Sequence, residues 1–227
     1  TLFRSTERQS AAFLLMEVRN MKVMLLNGSP HAKGNTRLAL EECARTLAEC
    51  GVEAEIVDIG DGPVAGCRAC GACSRLGRCV IDDGVNRFRE KLAEADGLIV
   101  GTPVYYASPN GSVISFMDRL FFSGPAETFR HKPAAAVAVA RRAGTVCSFD
   151  VLNKYFTIRE MPIAASSYWN DCFGQTPGQA AQDAEGLQTM RNLARNMAWL
   201  LKCIELGRAA GVNPPENEMD VATNFIR

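Results

Sequence analysis

Four cysteines, Cys67, Cys70, Cys73 and Cys79, stand in the order Cys-x2-Cys-x2-Cys-x5-Cys, which puts three thiols within seven residues and a fourth within reach. Two-residue gaps aim successive thiolates inward, and Gly66, Gly71 and Gly77 permit the close backbone approach that a four-thiolate iron-sulfur cube needs. Zinc is the rival ligand. Structural zinc usually takes two cysteine pairs separated by a longer stretch, so a triple cluster in one turn favours a [4Fe-4S] group. A redox-labile loop of free thiols is the remaining alternative. Of the other cysteines, Cys43 and Cys203 are expected on apolar helical faces, and Cys50, Cys147 and Cys172 carry no ligand pattern.

A second stretch suits an anion. Gly28-Ser29-Pro30-His31-Ala32-Lys33-Gly34-Asn35-Thr36 follows a short apolar run and opens a helical pattern, where free N–H groups and the helix dipole attract phosphate. A triphosphate-binding loop would place Lys and then Ser or Thr after the second glycine, but Asn35 occupies the lysine position. Hydroxyls on Ser29 and Thr36 with the Asn35 amide instead suit a terminal monophosphate held without metal. A plain capping loop would need only one such polar side chain. Farther on, Gly101-Thr102-Pro103-Val104-Tyr105-Tyr106-Ala107-Ser108-Pro109-Asn110-Gly111 offers aromatics and backbone amides of the kind that line a flat heterocycle such as a flavin.

The elements between these segments alternate short apolar runs with helical periodicity, the pattern of βαβ units around a parallel sheet. Strands are predicted at 22–26, 54–59, 97–100, 134–140 and around 163–167. Helices are predicted from Thr36 to Leu47, after an Asp83 cap, over 112–120, over 151–159 and over 184–206. The last of these carries Met190, Leu193, Met197, Leu200 and Ile204 on one stripe, a packing face. The expected architecture is α/β: a doubly wound, five-stranded parallel sheet of order 2-1-3-4-5 with helices on both faces. Its ligand site lies at the switch point between strands one and three, so the two loops described above face each other there. Residues 1–20 read as an N-terminal extension, 21–210 as one domain with a cysteine-rich loop at 60–83, and 211–227 as a surface tail.

Composition narrows the partners. The chain has 227 residues, 47% hydrophobic and 22% charged, with 25 basic residues against 25 acidic ones. A neutral chain without a basic, aromatic-interleaved stripe gains little from counterion release, so nucleic acid is not an expected partner. The apolar run Ala11 to Met16 is too short to span a bilayer and lacks a signal cleavage pattern, so no membrane partner is expected and the protein should be cytoplasmic. An odd count of nine cysteines argues against a complete disulfide framework.

On Asn27 to Thr36, Thr102 to Gly111 and Ser115-Phe116-Met117-Asp118-Arg119, the chain resembles the NADPH-dependent FMN reductase branch of the flavodoxin-like superfamily, over roughly residues 21–206. The resemblance implies FMN with its phosphate at Ser29, His31, Asn35 and Thr36, and its ring along Pro103, Val104, Tyr105, Tyr106 and Ser108. A third loop after strand four, with Arg142 and Gly144, would close over the ring. His31 stands where many relatives have arginine, which weakens the fixed charge at the phosphate. Asp118 and Arg119 are expected to form a structural ion pair.

The cysteine spacing further resembles the iron-sulfur flavoproteins, which hold a [4Fe-4S] cluster beside FMN in dimers or tetramers. The function so implied is electron transfer from NAD(P)H through FMN to the cluster or to an acceptor such as a ferredoxin, a quinone or another small oxidant, in a homodimer or homotetramer. No side chain is then required as a general base, because the flavin carries the chemistry. A cluster-free FMN, quinone or azo reductase and a flavodoxin-like electron carrier without its own substrate are the alternatives. A zinc-stabilised interaction module is a third. Without a GxGxxG fingerprint, the nicotinamide must stack on the flavin in an open cleft, and NADH and NADPH are not distinguished.

Overall fold

The computed structural model describes residues 19–223. Five parallel strands form the sheet: β1 (Lys22–Asn27), β2 (Glu53–Asp58), β3 (Gly97–Tyr105), β5 (Ala134–Ala140) and β6 (Asp171–Phe173), in the order β2-β1-β3-β5-β6. β4 (Ser108–Pro109) folds back antiparallel on β3 as a hairpin arm, so the parallel strands keep the expected 2-1-3-4-5 order. The helices are α1 (Asn35–Glu49), the single turn α2 (Cys73–Leu76), α3 (Gly84–Glu94), α4 (Gly111–Ser123), α5 (Thr145–Thr157) and α6 (Ala184–Ala209).

Strand alternation builds two cores. Val23 and Leu25 of β1 face Leu40, Cys43 and Leu47 of α1 and Met190, Leu193 and Met197 of α6. Met24 and Leu26 face the other way, into Val85, Phe88 and Leu92 of α3 and Val113, Phe116 and Leu120 of α4. A strand buried on both faces reads as a continuous apolar run, as β1 and β3 do. β5 is wholly buried but built of alanine and valine, which lets the helical layers approach closely.

The local signals explain most element ends. Gly51, at φ 76, ends α1, and the Asp83 carboxylate accepts from the Val85 N–H to start α3. Three expectations need correction. The fifth strand does not lie at 163–167: Ile163 makes one isolated bridge to Ala134, the chain then turns through Ser166, and pairing resumes only at Asp171–Phe173. The Ser166 hydroxyl bonds the Tyr168 backbone, a local alternative to the ladder. The fourth long helix begins at Thr145, not Val151, because Gly144 at φ 89 turns the chain directly from β5 into α5. On α6, Leu201 is buried where Leu200 was expected, and Cys203 is exposed.

Of the segment 1–20, Arg19 and Asn20 fall within the described residues and the rest lies outside them. Arg19 forms an ion pair with Asp96. Past α6 the chain carries no regular structure from Val212 to Thr223, and the remainder of the expected tail lies outside the described residues. No described helix is long and apolar enough to cross a membrane.

Candidate active site

The C-terminal ends of β1, β3 and β5 open onto a cleft of about 880 Å³, within the ordinary range for a small-molecule site. One wall is the loop after β1. Ser29 in it is pinned by a relay: Arg37 holds the Asp58 carboxylate at 3.0 Å, Asp58 accepts from the Asn27 side-chain amide at 2.7 Å, and the Asn27 Oδ1 accepts from the Ser29 N–H at 3.2 Å. The Ser29 hydroxyl then accepts from the His31 N–H at 3.1 Å. Gly34 caps α1 without any side-chain bond, so the first-turn N–H groups of Asn35 and Thr36, both lining the cleft, have no capping partner. Lys33 and His31 line the same wall. Backbone donors at a helix start beside the Lys33 ammonium form a fitting cradle for a phosphate.

The opposite wall is the β3–β4 hairpin. Tyr106 and Ala107 occupy its two turn positions, at φ 52 and 57, which right-twisted hairpins require and which side chains other than glycine resist. The Thr102 hydroxyl accepts from the Asn110 N–H at 3.1 Å and so fixes the base of the hairpin. Asn110 in turn caps α4 by accepting from the Ser112 N–H at 2.7 Å. Pro103, Val104 and Tyr105 line the cleft, whereas Tyr106 projects fully into solvent at the tip.

Ser29, His31, Asn35, Thr36, Pro103, Val104 and Tyr105 are thus brought around one cavity. Tyr106, Ser108, Arg142 and Gly144 are not among its lining residues. Arg142 is exposed next to Arg141, which does line the cleft, and Gly144 packs beneath the hairpin. Sequence reasoning missed Gly60 and Asp61 after β2 and the segment Gly174, Gln175 and Pro177 after β6. The signal for the latter was a Gly-x-x-Pro directly after a strand, hidden by the misplaced fifth strand.

That segment also redefines Asn35. Its amide nitrogen donates to the Thr176 carbonyl at 3.0 Å and its amide oxygen accepts from the Ala180 N–H at 3.1 Å. One amide hydrogen is left for a ligand, since the group carries two. Gln179 completes the segment by accepting from the N–H groups of Gln175 and Thr176.

The four cysteines lie behind α4, lining one recess with Arg68, Val80, Ile81, Arg119 and Phe122. None forms a disulfide; Cys67 and Cys70 are exposed, Cys73 and Cys79 half-buried. The recess is small, about 20 Å³, and no group of three or more His, Cys, Asp or Glu among the described residues stands close enough to hold a metal ion. In residue type the four thiols suit a thiolate-held cluster; as placed among the described residues they do not enclose one.

Arg119 stands at the back of this recess and is only 1% exposed. The expected pair with Asp118 is absent, because adjacent helical residues diverge around the helix: Asp118 accepts from the Tyr155 hydroxyl, and Arg119 pairs with Asp83. The guanidinium bonds Asp83 through both terminal nitrogens, at 2.6 and 2.8 Å. It also donates to the Ala65 carbonyl at 3.2 Å, the Ile81 carbonyl at 3.1 Å and the Cys79 Sγ at 3.3 Å. Burial pushes the Asp83 carboxyl up, but the Arg119 bonds, the Val85 N–H and the nearby positive charge outweigh it and hold the group below its usual range.

Residues 21–175 match the model of the family described as NADPH-dependent FMN reductase. An iron-sulfur flavoprotein of Methanocaldococcus jannaschii is 33% identical over 82% of this chain and 100% of its own length. One of Methanosarcina thermophila is 30% identical over 83% of this chain and 99% of its own. The solved NAD(P)H:quinone oxidoreductase from Methanothermobacter marburgensis superposes with a TM-score of 0.61 at 19% identity, over 78% of this chain and 97% of that one. Such matches extend across the sheet and its helices rather than over one motif, and the chain therefore belongs to the NADPH-dependent FMN reductase family, as an oxidoreductase with the flavodoxin-like fold.

Proposed function

We propose that the protein is an FMN-dependent NAD(P)H oxidoreductase of the iron-sulfur flavoprotein type, with FMN in the cleft between the β1 loop and the β3–β4 hairpin and a [4Fe-4S] cluster on Cys67, Cys70, Cys73 and Cys79. The observation that carries the reading is the pairing of an uncapped helix start with an aromatic hairpin across the switch point, with all four cysteines on one recess behind the helix that follows the hairpin. When bound, FMN would accept a hydride from reduced nicotinamide, and a cluster would carry the electrons onward one at a time.

The chain's own residues supply binding and orientation. The Asn35 and Thr36 N–H groups, the Ser29 and Thr36 hydroxyls, the remaining Asn35 amide hydrogen and the His31 and Lys33 side chains would hold the phosphate. Pro103, Val104 and Tyr105 would flank the ring, with Tyr106 and Ser108 at the tip and far arm of the hairpin. Arg142 and Gly144 belong to the loop behind it. Arg141 and the Gly174–Pro177 segment form the third side, leaving the mouth open for a nicotinamide to stack. No protein acid or base need touch the reacting atoms.

The exposed Leu76, Val80 and Phe122 around the cysteine recess and the fully exposed Tyr106 provide apolar surface for a second subunit, consistent with a homodimer or homotetramer. A ferredoxin, a quinone or a small oxidant is the proposed acceptor class, and the cytoplasm the proposed compartment. Anaerobic purification followed by a visible spectrum, flavin, iron and sulfide analysis and an NAD(P)H oxidation assay tests the whole reading. One FMN per chain without iron would leave the cluster-free reductase, and no flavin would overturn the cleft assignment.

A further inference from the structure

We propose that Arg119 is the positioning residue of the cysteine loop: one guanidinium on α4 closes the loop's two ends on each other and sets Cys79 against the recess. The proposal rests on reading the four cysteines as a metal–thiolate site. Arginine has five N–H donors, and here all five are engaged. One terminal nitrogen reaches the Ala65 carbonyl, just before the first cysteine, and the other reaches the Ile81 carbonyl, just after the last. Asn86 holds the C-terminal end as well, accepting from the Cys79 N–H at 3.1 Å and donating to the Cys79 carbonyl at 3.0 Å, and Arg89 donates to the Gly77 carbonyl, but of these side chains Arg119 is the one that reaches, and so clasps, both ends of the segment from Cys67 to Cys79.

A fork of fixed geometry is what such a clasp needs. The two terminal nitrogens are held rigidly apart in one plane, so the two carbonyls, and with them the two ends of the loop, are held at a set separation. The remaining donor, Nε, is spent on Cys79 Sγ, which fixes that sulfur relative to the clasp. Asp83 balances the charge, which matters because a cation 1% exposed without a partner would be strongly destabilising.

Placement on α4 gives the clasp its reach. The helix starts at Gly111, immediately after the hairpin that lines the cleft, and its Asn110 cap is tied to Thr102 of β3. From Asn110 to Arg119 is nine residues of helix, roughly 13 Å at 1.5 Å per residue. Arg119 therefore registers the cysteine loop against the hairpin through one rigid element. Without it the arm carrying Cys67 and Cys70 loses its tie to α4, and both residues are exposed.

Lysine separates this role from simple charge balance. A buried cation that serves only Asp83 is replaced adequately by lysine, whereas one ammonium cannot span two carbonyls and a sulfur in a plane. The experiment uses the full chain carrying Arg119→Lys or Arg119→Gln. Trypsin reports the loop directly, because Arg68, Arg75 and Arg78 are all exposed within it. Cleavage at these three sites in metal-free protein should rise by at least ~10-fold in both variants, since proteolysis follows the population of the opened loop. FMN content should stay at the wild-type level. Cobalt(II) added to metal-free protein should give a weaker thiolate charge-transfer band per chain in both variants than in wild type, and anaerobic iron and sulfide uptake should fall below half.

Wild-type cleavage rates in a folded Arg119→Lys protein, or, where wild type takes up iron, equal uptake by that variant, would overturn the proposal. Should both variants fail to fold, Asp83→Asn, which leaves the guanidinium in place but removes its anionic anchor, should show the same pattern several-fold more weakly; no change there would equally overturn it. If wild type itself takes up no iron, the cluster reading fails while the cleavage rates still decide the clasp.

Discussion

Gly144 sits so close to Ala107 that a Cβ added at Gly144 would lie 2.7 Å from the Ala107 Cα and 3.0 Å from Val104 Cγ1. The loop after β5 thus supports the hairpin from behind, and the backbone at Gly144 is left-handed, at φ 89, where a side chain is strained in any case. Gly144→Ala should cost about 2 kcal/mol or more of stability and should push Val104 and Tyr105 into the cleft. FMN titration with a parallel urea melt checks this. Unchanged flavin affinity would show that the hairpin is not part of the flavin wall.

Asn35→Leu should weaken FMN binding by about 10- to 100-fold, from the loss of two hydrogen bonds worth about 1 kcal/mol each and the release of the 174–182 segment. The structure gives this variant a route besides a lost phosphate donor, because the Asn35 amide ties that segment to α1. Gln179→Ala, which frees the same segment while leaving Asn35 intact, separates the two. If it weakens FMN as strongly, the segment matters more than the amide.

Cys70→Ala should abolish iron and sulfide retention while leaving FMN in place. Cys70 lines the recess behind α4 and the proposed flavin cleft is built from other residues, so the two groups would be held independently. Hydride uptake from NAD(P)H, followed as flavin bleaching under anaerobic conditions, should persist, and reduction of a one-electron acceptor should fall. Equal iron content in variant and wild type would remove Cys70 from the ligand set.

Lys132 gives a pH signature at the opposite end of the sheet. Its ammonium donates to the Leu92 carbonyl at 2.6 Å and the Ala93 carbonyl at 3.0 Å, and burial pushes its pKa down from 10.5 to about 8. Between these values the unfolded chain binds more protons than the folded one, so stability rises with pH across that window and is flat below it. The wild type should gain about 1.5 kcal/mol on Lys132→Met from pH 8 to 10.5, well under the full linkage value because the side chain is partly in water. Urea melts of both proteins across that range measure the difference; parallel curves would contradict it.

Much of this protein was legible in its residues because the physics behind it is local. Strand order followed from the βαβ alternation of a doubly wound sheet, and the Asp83 cap and the Gly51 terminus from single-residue preferences. The cysteine spacing likewise placed four thiols within one short segment, and they line one recess. What needed the tertiary structure were relationships between distant segments. The pairing of Arg119 with Asp83, 36 positions away, rather than with its neighbour Asp118, depends on which face of α4 meets the cysteine loop. The bonding of Asn35 to Thr176 across 141 positions depends on where β6 ends. β6 is only three residues long, and its pairing energy is too small for local sequence to mark; its place was set by the open edge of β5 and the Ser166 turn, which exist only once the sheet has formed.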